Sequence, residues 1–424
     1  MFEPSLYQPL GNHLAVARNG TTQSQVQFST EYPVTRIETI ADGTINFGKV
    51  GYLAAPADGY ELQPGDILYS HINSIKHVGK VAQYFDEVNT LYHGMNLLLL
   101  RLDGEVDKRY LFHYLNSYNA RHYAQKECQK AINQVSLNTG QLKKLSVFTP
   151  PLPEQRLIAH ILDTLDTQIQ KTEALIAKLE KVKEGLLHDL LTRGIDVNGR
   201  LRPSPEQAPE LYKESPLGLI PREWEVVGFL DAVELPSGQI SPLIEPYASL
   251  PLIAPDHIEA GVSRLIRVET ARDQGAISGK YIVRPGDVVY SKIRPYLRKA
   301  WLADIDSICS ADMYPLRPKL LTSAILLRIV MSESFSTYAN AASMRTGIPK
   351  INRDELSGYT FALPTIQEQV RMENIFQGIE RKADKEREAL SKLVFEKIGL
   401  MDDLLTGRVR VTPLLDQAQA TTPA

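Results

Sequence analysis

The sequence has few of the features that mark secreted, membrane-spanning or metal-binding proteins. Its two cysteines, Cys128 and Cys309, are too few for a disulfide framework or a CxxC metal site. No apolar run approaches the roughly 18 residues that cross a bilayer, and the first residues lack the basic and apolar parts of a signal peptide. We therefore expect a cytoplasmic protein with no membrane association and no metal site.

An excess of charge of either sign is also missing. The chain has 47 Lys and Arg residues against 50 Asp and Glu residues, which gives a net charge of −3. This balance excludes a strongly basic, histone-like protein, although a local basic patch is enough for DNA binding. The length of 424 residues and the hydrophobic content of 43% predict a folded protein with about three domains, at roughly 150 residues per domain.

Motifs of known catalytic sites are missing as well. The sequence contains no HExxH or GxSxG motif, and no Asn-Pro-Pro-Tyr or Asp-Pro-Pro-Tyr motif of adenine methyltransferases. Residues 43–49 resemble a phosphate-binding loop, but Val50 stands where that loop needs a hydroxyl for Mg²⁺. We therefore predict that the chain by itself is not an enzyme and holds no cofactor.

What the sequence does have is a long internal repeat. The segment from Glu154 to Val197 aligns without gaps with the segment from Glu368 to Val411, and both contain the run Asp-Leu-Leu-Thr. Upstream, the turn Pro64-Gly-Asp66 returns as Pro285-Gly-Asp287, and Tyr-Ser follows each turn. The repeat predicts a globular domain followed by a long helix, twice over.

Apolar residues in the two repeated segments recur at alternating intervals of four and three residues, which is the 3.5-residue period of a coiled coil. In each copy eight of ten such positions are apolar, and the exceptions, Thr172 with Glu386 and Lys183 with Lys397, fall at the same registers. We call the larger apolar residues the seam and predict that they pack the two helices against each other: Ile158, Leu162, Leu165, Ile169, Ile176, Leu179, Leu186, Leu190, Met372, Phe376, Ile379, Leu390, Leu393, Leu400 and Leu404.

A wider apolar face, which includes Ile161, Leu175 and Leu187, lies beside the seam. It either receives helices of another protein or packs against the globular domains of this chain. The helix ends carry their own signals, because Thr365-Ile-Gln-Glu368 is a capping-box pattern and Gly194 and Gly407 stand where a helix-terminating glycine belongs.

The predicted fold class is α+β, with two similar globular domains separated by two long antiparallel coiled-coil helices in a pseudo-twofold internal repeat. Within the globular domains, Tyr110–Lys126 and Leu320–Ala341 are predicted helices. The predicted segments are a first globular domain at 1–150, a long helix at 151–193, a linker at 194–220, a second globular domain at 221–363, a long helix at 364–407 and a flexible tail at 408–424.

Two sets of basic and amide side chains are candidates for DNA binding, because Arg and Lys bind phosphates or guanine while Asn and Gln read adenine. Each set follows a Pro-Gly-Asp turn and continues in the polar loop that ends the domain. The candidates are Lys76, His77, Lys80, Asn133, Gln134 and Asn138 in the first domain, and Lys292, Arg294, Arg298, Lys299, Arg345, Lys350, Asn352 and Arg353 in the second. Two similar but non-identical domains at a fixed separation suit a two-part, asymmetric DNA site.

The residues described so far resemble the specificity (S) subunit of type I restriction–modification enzymes, over nearly the whole chain. The resemblance rests on the two Pro-Gly-Asp turns and on five further segments: Leu152-Pro-Glu-Gln155, Leu190-Leu-Thr-Arg-Gly194, Ser215-Pro-Leu-Gly-Leu-Ile-Pro-Arg-Glu-Trp224, Leu363-Pro-Thr-Ile-Gln-Glu-Gln369 and Leu404-Leu-Thr-Gly407. The chain departs from the family at its start, because the first domain has no Trp-Glu pair like Trp224-Glu225.

The resemblance implies two target recognition domains, each reading one half of a bipartite site in double-stranded DNA. It implies that the repeated helices dock two methylation subunits, which carry S-adenosylmethionine and methylate adenine N6. It also implies restriction subunits that use ATP and Mg²⁺ to cleave DNA. Catalysis would then belong to the partners and not to this chain.

Three alternatives stay open at the level of the sequence. The chain could serve a modification-only methyltransferase complex, which the sequence does not distinguish from a restriction complex. It could be a nuclease, which metal-dependent cleavage by the purified chain would reveal. It could also be a coiled-coil scaffold, for which absent or salt-independent DNA binding would argue.

If the long helices set the distance between the two halves of the DNA site, lengthening both helices in register should lengthen the gap in the recognised sequence. The methylated motif of the lengthened protein, read by sequencing, measures this gap. An unchanged gap after an in-register insertion would contradict the idea.

Overall fold

The computed structural model describes residues 6–41, 43–85, 90–132, 134–343 and 349–420. These residues form two compact units: unit 1 combines Met1–Ala174 with Arg387–Ala424, and unit 2 is Leu175–Glu386. Each unit contains one globular domain together with part of each long helix.

The first globular domain is built of short strands with a few helices. Its strands are β1 (Tyr7–Pro9), β2 (Leu14–Asn19), β3 (Gln25–Val26), β4 (Pro33–Val34), β5 (Ile40–Ala41), β6 (Thr44–Ile45), β7 (Gly51–Leu53), β8 (Ile67–Tyr69), β9 (Ile72–Asn73), β10 (Val81–Gln83), β11 (Leu98–Leu102), β12 (Gln129–Ala131), β13 (Gln134–Ser136) and β14 (Ser146–Phe148). Its helices are α1 (Lys108–Asn116), α2 (Tyr118–Glu127) and α3 (Thr139–Lys143), and the long helix α4 (Leu152–Thr192) follows.

The second domain repeats this composition. Its strands are β15 (Tyr212–Ser215), β16 (Gly218–Pro221), β17 (Glu225–Gly228), β18 (Val233–Glu234), β19 (Leu252–Ile253), β20 (Tyr281–Val283), β21 (Val288–Ser291), β22 (Ala300–Leu302), β23 (Ser307–Cys309), β24 (Met313–Pro318) and β25 (Thr360–Leu363). Its helices are α5 (Phe229–Ala232), α6 (Ser323–Met331), α7 (Glu333–Ser343) and α8 (Arg353–Ser357), followed by the long helix α9 (Ile366–Leu405) and by α10 (Thr412–Ala420).

A four-stranded antiparallel sheet forms the centre of each domain. Its order is β10-β8-β11-β2 in unit 1 and β22-β21-β24-β18 in unit 2. The strands that follow the Pro-Gly-Asp turns, β8 and β21, hold the same place in both sheets, so the two domains share one plan. One face of each sheet packs on helices: Tyr69 and Leu111 belong to one core in unit 1, and Tyr290 and Ile325 to another in unit 2.

The aspartate of each Pro-Gly-Asp turn forms a buried ion pair. The Arg101 guanidinium donates to both carboxylate oxygens of Asp66, at 2.8 and 2.7 Å. Arg317 does the same to Asp287, at 3.0 Å to each oxygen. Such bidentate pairs are strong and directional, so the turn is tied to the neighbouring strand, β11 or β24.

The two helices predicted inside the globular domains are each broken into two. Ser117 separates α1 from α2, and its hydroxyl accepts a hydrogen bond from the N–H of Ala120. Ser332 separates α6 from α7 in the same way, with Phe335 as donor. Both serines have extended backbone angles, and serine favours this N-cap position over a helix interior.

The long helices are confirmed, and within each unit they run antiparallel. In the described structure every seam residue is buried or half-buried. The ends of the seam enter the globular cores, since Ile158 and Leu404 belong to the core of unit 1 and Leu190 and Met372 to that of unit 2. Ile161 and Leu187 also pack on these cores, which favours the alternative that the wider apolar face covers the chain's own domains.

A buried carboxylate holds the start of α9 in unit 2. The two terminal nitrogens of Arg202 bind the two oxygens of Glu368, one of them at 3.1 Å. The N–H of Ile195 and the indole N–H of Trp224 donate to the same carboxylate at 2.8 and 2.9 Å. Only half of the predicted capping box forms. The Thr365 hydroxyl accepts a hydrogen bond from the N–H of Glu368 at 3.4 Å, whereas the Glu368 carboxylate binds a guanidinium and two N–H donors more strongly than it would bind one backbone N–H of its own helix.

Unit 1 repeats the arrangement at the start of α4. Arg410 donates to both oxygens of Glu154 at 2.8 and 2.7 Å, and the N–H of Val411 adds a third hydrogen bond at 3.2 Å. In both units the arginine follows the end of the other long helix. We call the pairs Glu154–Arg410 and Glu368–Arg202 the clasps.

The glutamine after each clasp glutamate ties the helix start to the globular domain. Gln155 accepts a hydrogen bond from the N–H of Asp107 at 2.8 Å, and Gln369 accepts one from the N–H of Thr322 at 2.8 Å. Asp107 and Thr322 are the N-caps of α1 and α6. The dipeptide Glu-Gln thus binds in two directions, to the end of the antiparallel helix and to the domain core.

The segment predicted as a linker is folded, and so are residues 408–420 of the predicted tail, the part of it that the structure describes. Residues 194–220 contain the clasp arginine Arg202 and most of the β15–β16 hairpin. The residues after α9 contain Arg410, the buried Val411 and helix α10. Both segments are ordered because each supplies the partner of a buried carboxylate.

Two of the polar exceptions in the seam, Lys397 and Lys183, have ion-pair partners within their units. In unit 1 Lys397 forms an ion pair with Asp166, while His113 and Arg109 of α1 both bind Asp163. Partial burial raises the pKa of Asp163, but the hydrogen bonds from His113 and Arg109 outweigh it and hold that pKa well below its usual range.

Unit 2 has an equivalent cluster of ion pairs between a domain helix and the long helices, and we call the two clusters the junctions. In unit 2 an arginine of α6 takes the place of the histidine of α1. Arg328 of α6 binds both oxygens of Glu380 at 2.8 and 2.7 Å, and Lys183 lies 3.1 Å from the same carboxylate. Burial raises the pKa of Glu380, but the two cations outweigh it and lower that pKa overall. Each junction joins a domain helix to both long helices.

Replacing Glu368 with alanine should lower the free energy of unfolding by about 3–5 kcal/mol, because the buried Arg202 guanidinium would lose its buried counter-ion and keep only the exposed Glu223 carboxylate at 3.6 Å. Urea titration followed by circular dichroism measures the change. The matched control is Gln367→Ala, whose exposed side chain one residue earlier should change stability by no more than about 0.5 kcal/mol. Equal effects of the two substitutions would contradict the role of the clasp.

Candidate nucleic-acid interface

In unit 1 the two candidate DNA-binding segments meet in one small sheet. Strand β13 pairs with β9, with Val135 opposite Asn73, and it also pairs with β12 to make a hairpin. Lys76 and His77, in the loop after β9, are exposed, and so is Gln134 of the hairpin. Lys80 is half-buried. The sheet therefore places side chains that are far apart in sequence on neighbouring strands and turns.

Unit 2 joins its candidate segments in a similar way. The N–H of Arg294 donates to the carbonyl of Pro349 at 2.8 Å, and the N–H of Ile351 donates to the carbonyl of Lys292 at 2.9 Å. This pairing puts Lys350 beside Arg294, and both side chains are exposed. They are the most accessible of the predicted cations that the structure describes in this domain.

Several predicted side chains already have partners inside their domains. Asn138 caps α3 and Asn352 caps α8, each in a reciprocal capping box. Arg353 donates to the carbonyls of Leu235 and Pro236 at 3.1 and 2.7 Å. These bonds give the three side chains a structural role, and we leave them out of the contacts proposed below.

Three other predicted cations of unit 2 are at least half-buried. The Lys292 ammonium lies 5.0 Å from the centre of the Tyr314 ring, and burial, together with the charge of Lys350, lowers its pKa. Lys299 donates to the carbonyl of Pro255 at 2.7 Å. Arg298 lines a cavity of about 530 Å³. The predicted residues Asn133 and Arg345 lie outside the described residues.

An exposed apolar side chain, which was not among the predicted site residues, lies between these polar ones. Ile132 is 93% exposed next to the turn of the β12–β13 hairpin, with Lys130 and Gln134 nearby in the hairpin. Apolar side chains presented by basic elements can wedge between base steps. The available signal was a β-branched residue in an otherwise mostly polar segment.

One group of side chains has the types and spacing of a metal site. The ligand atoms of His113, Asp163 and Asp166 lie within 4.8 Å of one another. Each carboxylate is already paired with a cation, Asp163 with Arg109 and Asp166 with Lys397. The group is therefore a charge-balanced junction, and we assign no metal to it.

Among the described residues, none of the helices has the length and hydrophobicity that crossing a bilayer requires.

Comparisons with known proteins give one consistent result. Residues 13–181 match the family model described as "Type I restriction modification DNA specificity domain". The chain is 40% identical over 219 residues to the putative type I restriction enzyme MjaX specificity subunit of Methanocaldococcus jannaschii, an alignment that covers 50% of this chain and 49% of the relative. It is 32% identical over 244 residues to the type I restriction enzyme EcoDI specificity subunit of Escherichia coli, covering 55% and 54%.

The fold is similar to that of a solved structure. The crystal structure of the type I restriction-modification system S subunit from M. genitalium superposes with a TM-score of 0.55 at 13% identity, covering 96% of this chain and 98% of the other. In the sequence alignments the chain spans about half the length of the two curated relatives. The repeated domains and the long helices agree with these matches: over about half of its length the chain is similar to type I restriction enzyme specificity subunits.

Proposed function

We propose that this chain selects the DNA sequence on which a type I restriction–modification complex acts. Each globular domain reads one part of a bipartite, asymmetric site in double-stranded DNA. The observation that carries the proposal is the shared plan of the two domains, in which the loop after the Pro-Gly-Asp strand meets the polar segment before α3 or α8. The accessible side chains at that place are cations and amides, which suit phosphates and base edges.

The two domains offer different side chains at equivalent places, which supports an asymmetric site. Unit 1 presents Lys76, His77 and Gln134, whereas unit 2 presents Arg294 and Lys350. Arginine pairs well with guanine and glutamine with adenine. The two halves of the target therefore differ in sequence.

The exposed faces of the long helices dock methylation subunits, and restriction subunits join the same complex. An apolar group on α9 in unit 1 supports docking: Phe395 is 74% exposed, with Ile398 and Val394 also exposed beside it. Isolated exposed apolar residues are common, but a cluster on one helix face is typical of a protein interface. S-adenosylmethionine, ATP and Mg²⁺ belong to the partner subunits in this proposal.

The first test is a map of adenine methylation. The chain is expressed with its methylation subunit in a host without adenine methylation, and the genome is sequenced for N6-methyladenine. We expect a two-part motif with a fixed gap only when both subunits are present. In the same assay Phe395→Glu should abolish co-purification and methylation, because it puts a charge in the apolar contact. A folded, co-purifying complex that methylates nothing would refute the proposal.

The second test concerns the candidate DNA contacts. Substituting Arg294 and Lys350 together with alanine should lower the slope of log K against log salt by about 0.9 for each phosphate that is no longer neutralised. Fluorescence anisotropy with a duplex that carries the mapped motif measures the slope. The control is Lys385→Ala, an exposed cation on α9, which should leave the slope unchanged. If the control and the double variant behave alike, these two residues do not bind DNA.

A further inference from the structure

One face of helix α2 carries an aromatic ring and two basic side chains in a row. Tyr118, His122 and Lys126 follow one another at intervals of four residues, so they lie on one side of the helix, and all three are exposed. Tyr118 is 77% exposed, and its ring stacks on that of His122 with centroids 5.6 Å apart and planes 9° from parallel. We call these three residues the α2 row.

The α2 row lies next to the candidate DNA-binding loop of unit 1. The side chain of Gln125, one residue before Lys126, donates to the carbonyl of Ile75 at 3.2 Å. Ile75 immediately precedes Lys76 and His77 in that loop. The C-terminal end of α2 continues through Cys128 into strand β12 of the small sheet. Loop, helix and hairpin therefore form one connected surface.

The exposed charged side chains on this surface are all basic. Within residues 73–80 and 118–136 there are several basic side chains, whereas Glu127 is the only carboxylate and is half-buried. An exposed row of cations without carboxylates attracts a polyanion. His122 and Lys126 are one helical turn apart, about 6 Å along the axis, so they can reach neighbouring phosphates of one strand.

The equivalent helix of unit 2 has no such row. Helix α7 follows Ser332 as α2 follows Ser117, and its matching positions are Glu333, Thr337 and Ala341. These three residues are exposed too, but none is a cation. Unit 2 instead has a short turn, Pro295–Leu297, in contact with α7 and flanked by Arg294 and Arg298. In unit 1 the basic side chains belong to helix α2 itself. In unit 2 they flank the short turn that contacts helix α7.

We propose that the α2 row binds the phosphate backbone of DNA beside the part of the site that the first domain reads. His122 and Lys126 donate to phosphate oxygens, and the Tyr118 ring holds the His122 ring in place. Phosphate contacts carry no sequence information, but they set the register of the domain on the duplex. This inference rests on the proposed function and adds to it a contact on one domain only.

The test compares a double variant with a matched control in the other domain. His122→Ala with Lys126→Ala should lower the salt slope of DNA binding by about 0.9 for each phosphate that is no longer neutralised. Thr337→Ala, at the α7 position that matches His122, should leave the slope unchanged. Binding is measured for the full chain on a random-sequence duplex and on a duplex with the mapped motif, and the loss of affinity should be similar on both. A further variant, Lys126→Glu, keeps a good helix former and should weaken binding more than Lys126→Ala.

The outcomes separate this inference from the proposed function. If the unsubstituted chain binds neither duplex, the proposed function itself fails. If it binds and the double variant keeps the full salt slope, the α2 row does not bind phosphates. If DNA binding is unchanged but the methylation subunit no longer co-purifies, the row is a subunit surface and the inference is overturned. Circular dichroism and the melting temperature of each variant establish that it is folded.

Discussion

The buried carboxylate in the first turn of each long helix is the interaction on which the rest of the structure depends. Glu154 and Glu368 are almost fully buried, and each is neutralised by an arginine that follows the antiparallel helix. A buried carboxylate without such a partner would be strongly unfavourable. Each clasp therefore fixes the start of one long helix and the end of the other. The neighbouring glutamine binds the start of a helix in the globular domain and so fixes both long helices to that domain.

The sequence predicted the long helices well because two independent signals coincide in them. A heptad period gives the buried side of a helix, and its recurrence in a second copy makes chance agreement improbable. The helix ends were predictable because a glycine follows each of them. Gly194 and Gly407 have positive φ angles of 63° and 66°, which glycine adopts easily. At Gly194 a Cβ atom would also clash with a carboxylate oxygen of Glu368, so the clasp itself leaves no room for a side chain.

The remaining features depend on pairings that spacing along the chain does not reveal. Glu368 matches a local capping pattern, and only the folded chain shows that Arg202 and Trp224 bind it. In the same way Arg353 and Lys350 are both cations in a polar loop, yet one is held by two backbone carbonyls and the other is exposed. Composition indicates a candidate loop, whereas the choice among its side chains requires the geometry of the neighbouring backbone.

The clasp in unit 1 has a consequence for the order in which the protein is made. Glu154 and Arg410 are 256 residues apart, and the core of unit 1 also includes Leu404, Leu405 and Val411. On the ribosome the first domain emerges long before these residues are synthesised, while the second domain has both members of its own clasp earlier. Of these two domains, the one translated first is therefore completed second, and until residues 404–411 are synthesised its buried carboxylate has no arginine partner and part of its apolar core stays uncovered.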